Sequence, residues 1–275
     1  MFMTRLFSSI ILVIIALVTI LQGGYLLAAV LLFISLIAYS ELCKACAIHT
    51  QGKKINALES VGYAGIVCYY AVVVFIGNST AQLLCMLFVM IAFMFVYVFT
   101  FPKYHAAQIM SAFFSFFYAP VMFAFIYQTR ELAYGIYIVW MIFISSWICD
   151  TCAYLTGILI GKHKMTPRLS PKKSIEGAVG GVAGSALVGG LYGYFVVENA
   201  VIGQEITWVF VLISAVGAMI SQVGDLAASA IKRNHEIKDY GHLIPGHGGI
   251  MDRFDSVIFT APMIYSLALL LIKQI

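Results

Sequence analysis

The sequence predicts an all-α polytopic membrane protein, and three observations carry that reading. Of 275 residues, 62% are hydrophobic and only 10% charged, against roughly 25% charged in a water-soluble domain. Mean hydropathy is +0.98. Apolar runs recur along the whole chain at close to the ~20 residues that a helix needs to cross the hydrocarbon layer. None shows the apolar/polar alternation of a membrane barrel strand, so each segment must satisfy its own backbone groups in lipid, as a helix does.

Nine runs are predicted as spans: about 5–22, 25–43, 60–77, 81–101, 106–128, 133–161, 175–197, 206–230 and 255–273. The second follows the first almost at once, with no small-residue cleavage site between them. The first therefore reads as a retained span and not as a cleaved signal. The seventh opens with "GAVGGVAGSALVGG", Gly177 to Gly190, whose G-x-x-x-G spacing lets helices approach closely. The first part of the chain, 1–130, reads as generic transmembrane helices, a candidate interface for a homodimer. The remainder, 131–275, carries the polar chemistry and reads as the catalytic region with two long polar loops.

An odd number of spans puts the termini on opposite sides, so the basic residues can decide orientation. Fourteen Lys and Arg fall on the N-terminal side, and only Arg130 and Lys273 lie opposite. By the positive-inside rule the N-terminus is expected in the cytoplasm and the C-terminus outside. A basic inner surface favours anionic partners such as phosphates and acidic lipid head groups.

Two carboxylates stand out in the helices that feed the polar loops. Asp150 lies in "SWICDTCAYLTG" within the sixth predicted span, and Asp225 in "SQVGDLAASAIKR" towards the inner end of the eighth. An acid inside a membrane helix costs roughly a few kcal/mol and marks a pathway or a site by default. Gln222, Asp225, Ser229 and Lys232 fall on one helical stripe, and Trp147, Asp150 and Tyr154 on another. The plainer alternative is a buried hydrogen-bonded pair that only holds helices together.

The stretch "KRNHEIKDYGHLIPGHGGIMDRFDS", 232–256, holds four Lys/Arg, four Asp/Glu, three His and four Gly. Its "PGHGG" turn, Pro245 to Gly249, can bring backbone amides close to an anion, because Gly tolerates positive φ and lacks a Cβ. Asp252 and Asp255 follow at the start of the ninth span; Asp255 reads equally well as a helix cap, whereas Asp252 precedes the apolar run more loosely and has a divalent cation as its natural companion. Asp225 and Asp252 beside a Gly turn and Lys/Arg form the set that Mg²⁺-assisted phosphoryl or nucleotidyl transfer requires. A hard cation takes oxygen ligands, and basic groups neutralise the transferred phosphate.

Those residues resemble a known family. Ser229 to Asp255 fits the phosphatidate cytidylyltransferase (CDP-diacylglycerol synthase) signature S-x-x-K-R-x4-K-D-x-G-x3-P-G-H-G-G-x2-D-R-x-D at all fourteen fixed positions. Upstream, "WICDTCAYLTGILIGKHKMTPRLSPKKSIEG" is similar to the family's second block, and Glu41 in "YSELCK" resembles a family acidic position more weakly. The resemblance implies that CTP and phosphatidic acid give CDP-diacylglycerol and pyrophosphate. It further implies Mg²⁺, with a second cation allowed for, at Asp225 and Asp252. A phosphatidate oxygen would attack the α-phosphorus of CTP without a covalent enzyme intermediate. Asp225, Asp252, Lys173 and Asp150 are then the expected catalytic residues. Lys172, Ser229, Lys232, Arg233, His247, Gly248 and Arg253 are expected to bind substrate, Lys and Arg through phosphate. The expected location is the bacterial plasma membrane, with the active site on its cytoplasmic side.

The remaining polar features read plainly. Lys238 and Asp239 can pair and shape the loop, and His235 and His242 are expected in solvent. Two C-x-x-C spacings, Cys43/Cys46 and Cys149/Cys152, lie on predicted helices without a His cluster, which fits buried thiols better than zinc. The basic loops lack the compact fold of a nucleic-acid module, so no nucleic acid is expected as a partner. A cation-coupled transporter would also bury acids, but near mid-membrane and within inverted repeats. A CDP-alcohol phosphotransferase would need a D-x2-D-G-x2-A-R motif, which is missing.

Overall fold

The protein is described by a computed structural model covering residues 2–49, 55–200, 206–244 and 248–272, with side chains from residue 10 onward. Nine helices follow one another among these residues: α1 (Phe2–Gln22), α2 (Gly24–Ala45), α3 (Ala57–Ile76), α4 (Ser79–Phe99), α5 (Ala106–Arg130), α6 (Gly135–Ile160), α7 (Ile175–Ala200), α8 (Thr207–Asn234) and α9 (Met251–Leu271). The eight from α2 onward are long and apolar enough to cross a membrane, and α1 is apolar over Ile10–Gln22. The chain is thus an all-α polytopic membrane protein.

Helix starts follow local hydrogen bonding. At α3, Asn56 and Glu59 exchange side-chain to backbone bonds of 2.9 Å each way, a capping box. At α4 the Asn78 side chain accepts from Thr80 N at 2.8 Å. At α7 the Ser174 Oγ accepts from Gly177 N at 3.1 Å. Four helices contain one widened π turn: Val72–Ile76, Phe117–Val121, Ile144–Ile148 and Gly193–Val197. Pro120 lies in the second, where a residue without an N–H disturbs the regular ladder. The third ends just before Asp150, and such turns favour functional sites because they re-aim the side chains that follow.

Two details differ from the predicted spans. Helix α8 runs to Asn234 and α9 begins at Met251, so Asp252 stands in the first turn of a helix and not ahead of it. The segment between α6 and α7 is not plain loop: β1 (Lys164–Thr166) and β2 (Ser170–Ser174) pair antiparallel as a small hairpin.

The helices gather into two compact units. The first holds Met1–Gln128 together with Asn234–Arg253. Its core includes Tyr39, Leu42, Leu58, Ile66, Tyr69, Phe93 and Phe116, all within 1% of full burial. Gly65 lets α3 approach Val89 and Phe116, since a Cβ there would stand 2.9 Å from Val89. The second unit holds Thr129–Arg233 and Phe254–Ile275. In lipid no hydrophobic force draws helices together, so close packing and interhelical hydrogen bonds must do it. The α6/α7 seam shows the close packing. Cβ atoms on Gly177, Gly181 and Gly184 would approach Ala153 O, Cys149 O and Cys152 Sγ to 2.7, 2.8 and 2.4 Å. Helices α7 and α8 are joined where the Ser185 and Ser214 hydroxyls meet at 2.9 Å.

Candidate active site

The second unit contains a cavity of about 540 Å³. Its walls come from α6 (Asp150, Ala153, Tyr154, Gly157), the hairpin (Lys164, Lys172, Lys173), the α7 start (Ser174, Gly177, Ala178) and α8 (Gln222, Asp225). Each wall is positioned by local structure. The Ser174 cap fixes β2 to the first turn of α7, so Lys172 and Lys173 are carried on a braced strand. Gly157 and Gly177 let α6 and α7 close behind the cavity, each with the Ser174 Oγ within 3.2 Å of where a Cβ would sit. The Gln222 Nε2 donates to Ala178 O at 2.9 Å and to Cys149 Sγ at 3.4 Å. One side chain thereby holds α8 to both α6 and α7. The Glu176 carboxylate accepts from Lys162 N at 3.1 Å and pairs with the His163 ring, which ties the base of the hairpin to the first turn of α7.

The polar groups are arranged as charges of both signs. Lys173 forms an ion pair with Asp225, both about a quarter exposed. The charges of Asp225 and Lys173 reach Asp150. Those of Asp225, Lys232 and Asp150 reach Asp255, on α9. Asp150, Asp225 and Asp255 thus share a charge cluster with Lys173 and Lys232, and Lys164 and Lys172 line the same cavity. Among the described residues, no three His, Cys, Asp or Glu side chains stand close enough to hold a metal ion by themselves.

A separate polar centre lies in the first unit. Glu41, near the end of α2 and 5% exposed, accepts from Ile250 N at 3.0 Å and from Met251 N at 2.9 Å, one bond to each carboxylate oxygen. Asp252, 9% exposed, accepts at a single oxygen from Tyr240 N at 2.8 Å and from Gly249 N at 3.0 Å. Gly248 has φ +87°, and a Cβ on it would come within 2.9 Å of that same oxygen. The glycine here meets both a backbone and a contact requirement.

The predicted residues thus fall in different places. Asp150, Lys172, Lys173 and Asp225 line the cavity. Ser229 and Lys232, half-buried, and exposed Arg233 continue α8 beyond its lining. Asp252, Gly248 and exposed Arg253 belong to the first unit, and His247 lies outside the described residues. His235, Lys238, Asp239 and His242 are exposed. Lys164 and Ser174 also line the cavity and Asp255 joins its charge cluster, although none was singled out for a substrate role. The basic run 162–173 pointed to Lys164 only collectively, and Asp255 read equally well as a helix cap.

Comparison with known proteins gives the family. Residues 3–271 match the Cytidylyltransferase family. Proteins named phosphatidate cytidylyltransferase from Staphylococcus saprophyticus, Staphylococcus aureus (strain COL) and Staphylococcus epidermidis (strain ATCC 35984) are 30%, 31% and 32% identical to the chain. Each alignment covers 94% of this chain and 96% of the relative. A family match over nearly the whole length, in a chain whose acids and lysines share one cavity, supports one conclusion: the chain belongs to the cytidylyltransferase family and is a nucleotidyltransferase.

Proposed function

We propose that the chain is a phosphatidate cytidylyltransferase of a bacterial membrane. It would join CTP to phosphatidic acid to give CDP-diacylglycerol and pyrophosphate, on the cytoplasmic side. The observation that carries this reading is the cavity in which Asp150 and Asp225 stand among Lys164, Lys172 and Lys173. Nucleotidyl transfer needs that mixture. The substrates bring several negative charges, which the lysines neutralise, and the metal that accompanies a triphosphate needs carboxylate oxygens.

The cavity's carboxylates, Asp150 and Asp225, offer oxygen donors, the ligand type that a hard cation such as Mg²⁺ takes together with water and substrate phosphate oxygens. Asp225 in the cavity and Asp252 in the first unit are the carboxylates that the sequence signature assigns to it. Bound Mg²⁺ would polarise the α-phosphate and stabilise the departing pyrophosphate.

The chain's own residues then bind and orient. Lys172 and Lys173 hold phosphate oxygens and lessen the repulsion between two anionic substrates. Lys173, already paired with Asp225, couples the placement of phosphate to the placement of the carboxylate. Asp150 orients Lys173 through its charge. A phosphatidate oxygen forms the new bond to the α-phosphorus, the bond from that phosphorus to the β-phosphate bridging oxygen breaks, and its electron pair leaves with pyrophosphate. Positioning of the two substrates and neutralisation of their charge would supply the rate.

The test is incubation of the purified protein in detergent with CTP labelled at the α-phosphate, phosphatidic acid and Mg²⁺. Label should move into a lipid-extractable liponucleotide with one pyrophosphate released per transfer, and chelation should stop the reaction until Mg²⁺ is restored. Folded protein that releases pyrophosphate without labelling lipid, or labels nothing, refutes the proposal.

A further inference from the structure

The first unit contains a carboxylate to which the proposed reaction assigns no task. Glu41 is almost fully buried, and both its oxygens are bonded to backbone amides that lie 209 and 210 residues further along the chain. Two glycines form its cradle. A Cβ on Gly241 would stand 2.4 Å from its Oε1, and one on Gly249 would stand 2.4 and 2.5 Å from its two oxygens. Neither position admits a side chain while Glu41 stays where it is.

We propose that Glu41 is a positioning residue for the reaction: it fastens Ile250 and Met251 to α2 and so fixes the carboxylate of Asp252. This inference rests on the cytidylyltransferase reading above. The amides that Glu41 receives belong to Ile250 and Met251, the residues immediately before Asp252. The partial positive charge at the start of α9 favours an acid there. Gly249 is shared, because its Cα faces Glu41 while its N–H is given to Asp252. Movement of one carboxylate therefore moves the other's hydrogen-bond donor. A direct substrate role is disfavoured by charge, since an acid facing a triphosphate without a cation would repel it. An acceptor already bonded at both oxygens is suited to holding backbone.

The experiment compares wild type, Glu41→Ala and the isosteric Glu41→Gln as full-length protein in detergent, by amide hydrogen exchange and by steady-state kinetics for CTP and phosphatidic acid. In Glu41→Ala, exchange at Ile250 and Met251 should rise at least about tenfold, the factor implied by losing one charge-assisted hydrogen bond. The kcat should fall about 10- to 100-fold, as when a residue that orients a ligand is removed. KM for either substrate should stay within about twofold, because no binding contact is lost. Glu41→Gln keeps one acceptor oxygen and should fall between, and it carries the same test if the alanine variant does not fold. Unchanged exchange in both variants removes the fastening, and faster exchange with wild-type kcat removes the catalytic consequence; either result overturns the inference. A wild-type protein that makes no liponucleotide defeats the functional reading instead, and the exchange data still judge the fastening on their own.

Discussion

Replacing Gly180 by alanine provides a test in which two physical effects predict opposite signs. Removing a glycine from a helix interior ordinarily stabilises by about 0.5–1 kcal/mol, through the entropy of the unfolded chain. At Gly180, however, the new Cβ would stand 2.3 Å from the Thr156 Oγ1 and 2.6 Å from both its Cβ and Cγ2. A χ1 rotation of Thr156 can move its Oγ1 and Cγ2 but leaves its Cβ at 2.6 Å, so the α6/α7 seam must open. Overpacking of this kind costs about 1–3 kcal/mol. The net expectation is destabilisation by about 1–2 kcal/mol, a fall of about 3–6 °C in the thermal midpoint for a chain of this size. The cavity should widen too, because Gly177 and Ala153 on the same seam line it, and turnover should fall with the midpoint. Thermal unfolding in detergent of Gly180→Ala, Thr156→Gly and the double variant measures the effect. Their cycle should be non-additive by about 1 kcal/mol or more in favour of the double variant. A midpoint at or above wild type for Gly180→Ala, or strict additivity, would refute the packing argument.

Other substitutions bear on the site. Asp225→Asn and Asp252→Asn should each abolish Mg²⁺-dependent turnover while the protein still inserts, and near-normal turnover in either variant would remove that residue from the chemistry. Lys173→Ala should lower kcat/KM by about 1–3 kcal/mol, the range for a charged hydrogen bond; unchanged kinetics with both substrates would reject its phosphate role. Ser174→Ala removes the α7 cap, at a cost of about 1 kcal/mol, and should lower liponucleotide synthesis because Lys172 and Lys173 ride on the capped strand. A wild-type midpoint and rate in that variant would show that the hairpin needs no such brace.

The helices were legible because bilayer thickness imposes one length on every span, and composition reports it directly. The predicted run at 133–161 became Gly135–Ile160 for that reason. Ends were less legible where polar residues continue a helix out of the apolar region, as Lys232 and Arg233 do in α8 and Met251 to Asp255 do in α9. Apolarity marks the hydrocarbon layer and not the hydrogen-bond ladder. The hairpin escaped notice because strands of three and five residues are too short for an alternating pattern. In the candidate site, Asp150 and Asp225 declared themselves by the cost of an acid in a membrane helix, and Lys172 and Lys173 by their place in a basic run. The attachment of Glu41 to Ile250 and Met251 has no local signature, since its energy comes from a pairing across most of the chain. Nothing near Glu41 in sequence names its partners.

The length of α8 has a consequence for how a lipid would be handled. Its 28 residues at about 1.5 Å each span about 42 Å, whereas the oily interior of a bilayer is about 30 Å thick. With its first residue at the far edge of that interior, the helix emerges after about twenty residues, beside Asp225. The acid would then wait at the depth where phospholipid phosphates already lie. A lipid reacting there need not be lifted out of its leaflet, and its product could diffuse away sideways with both tails still dissolved.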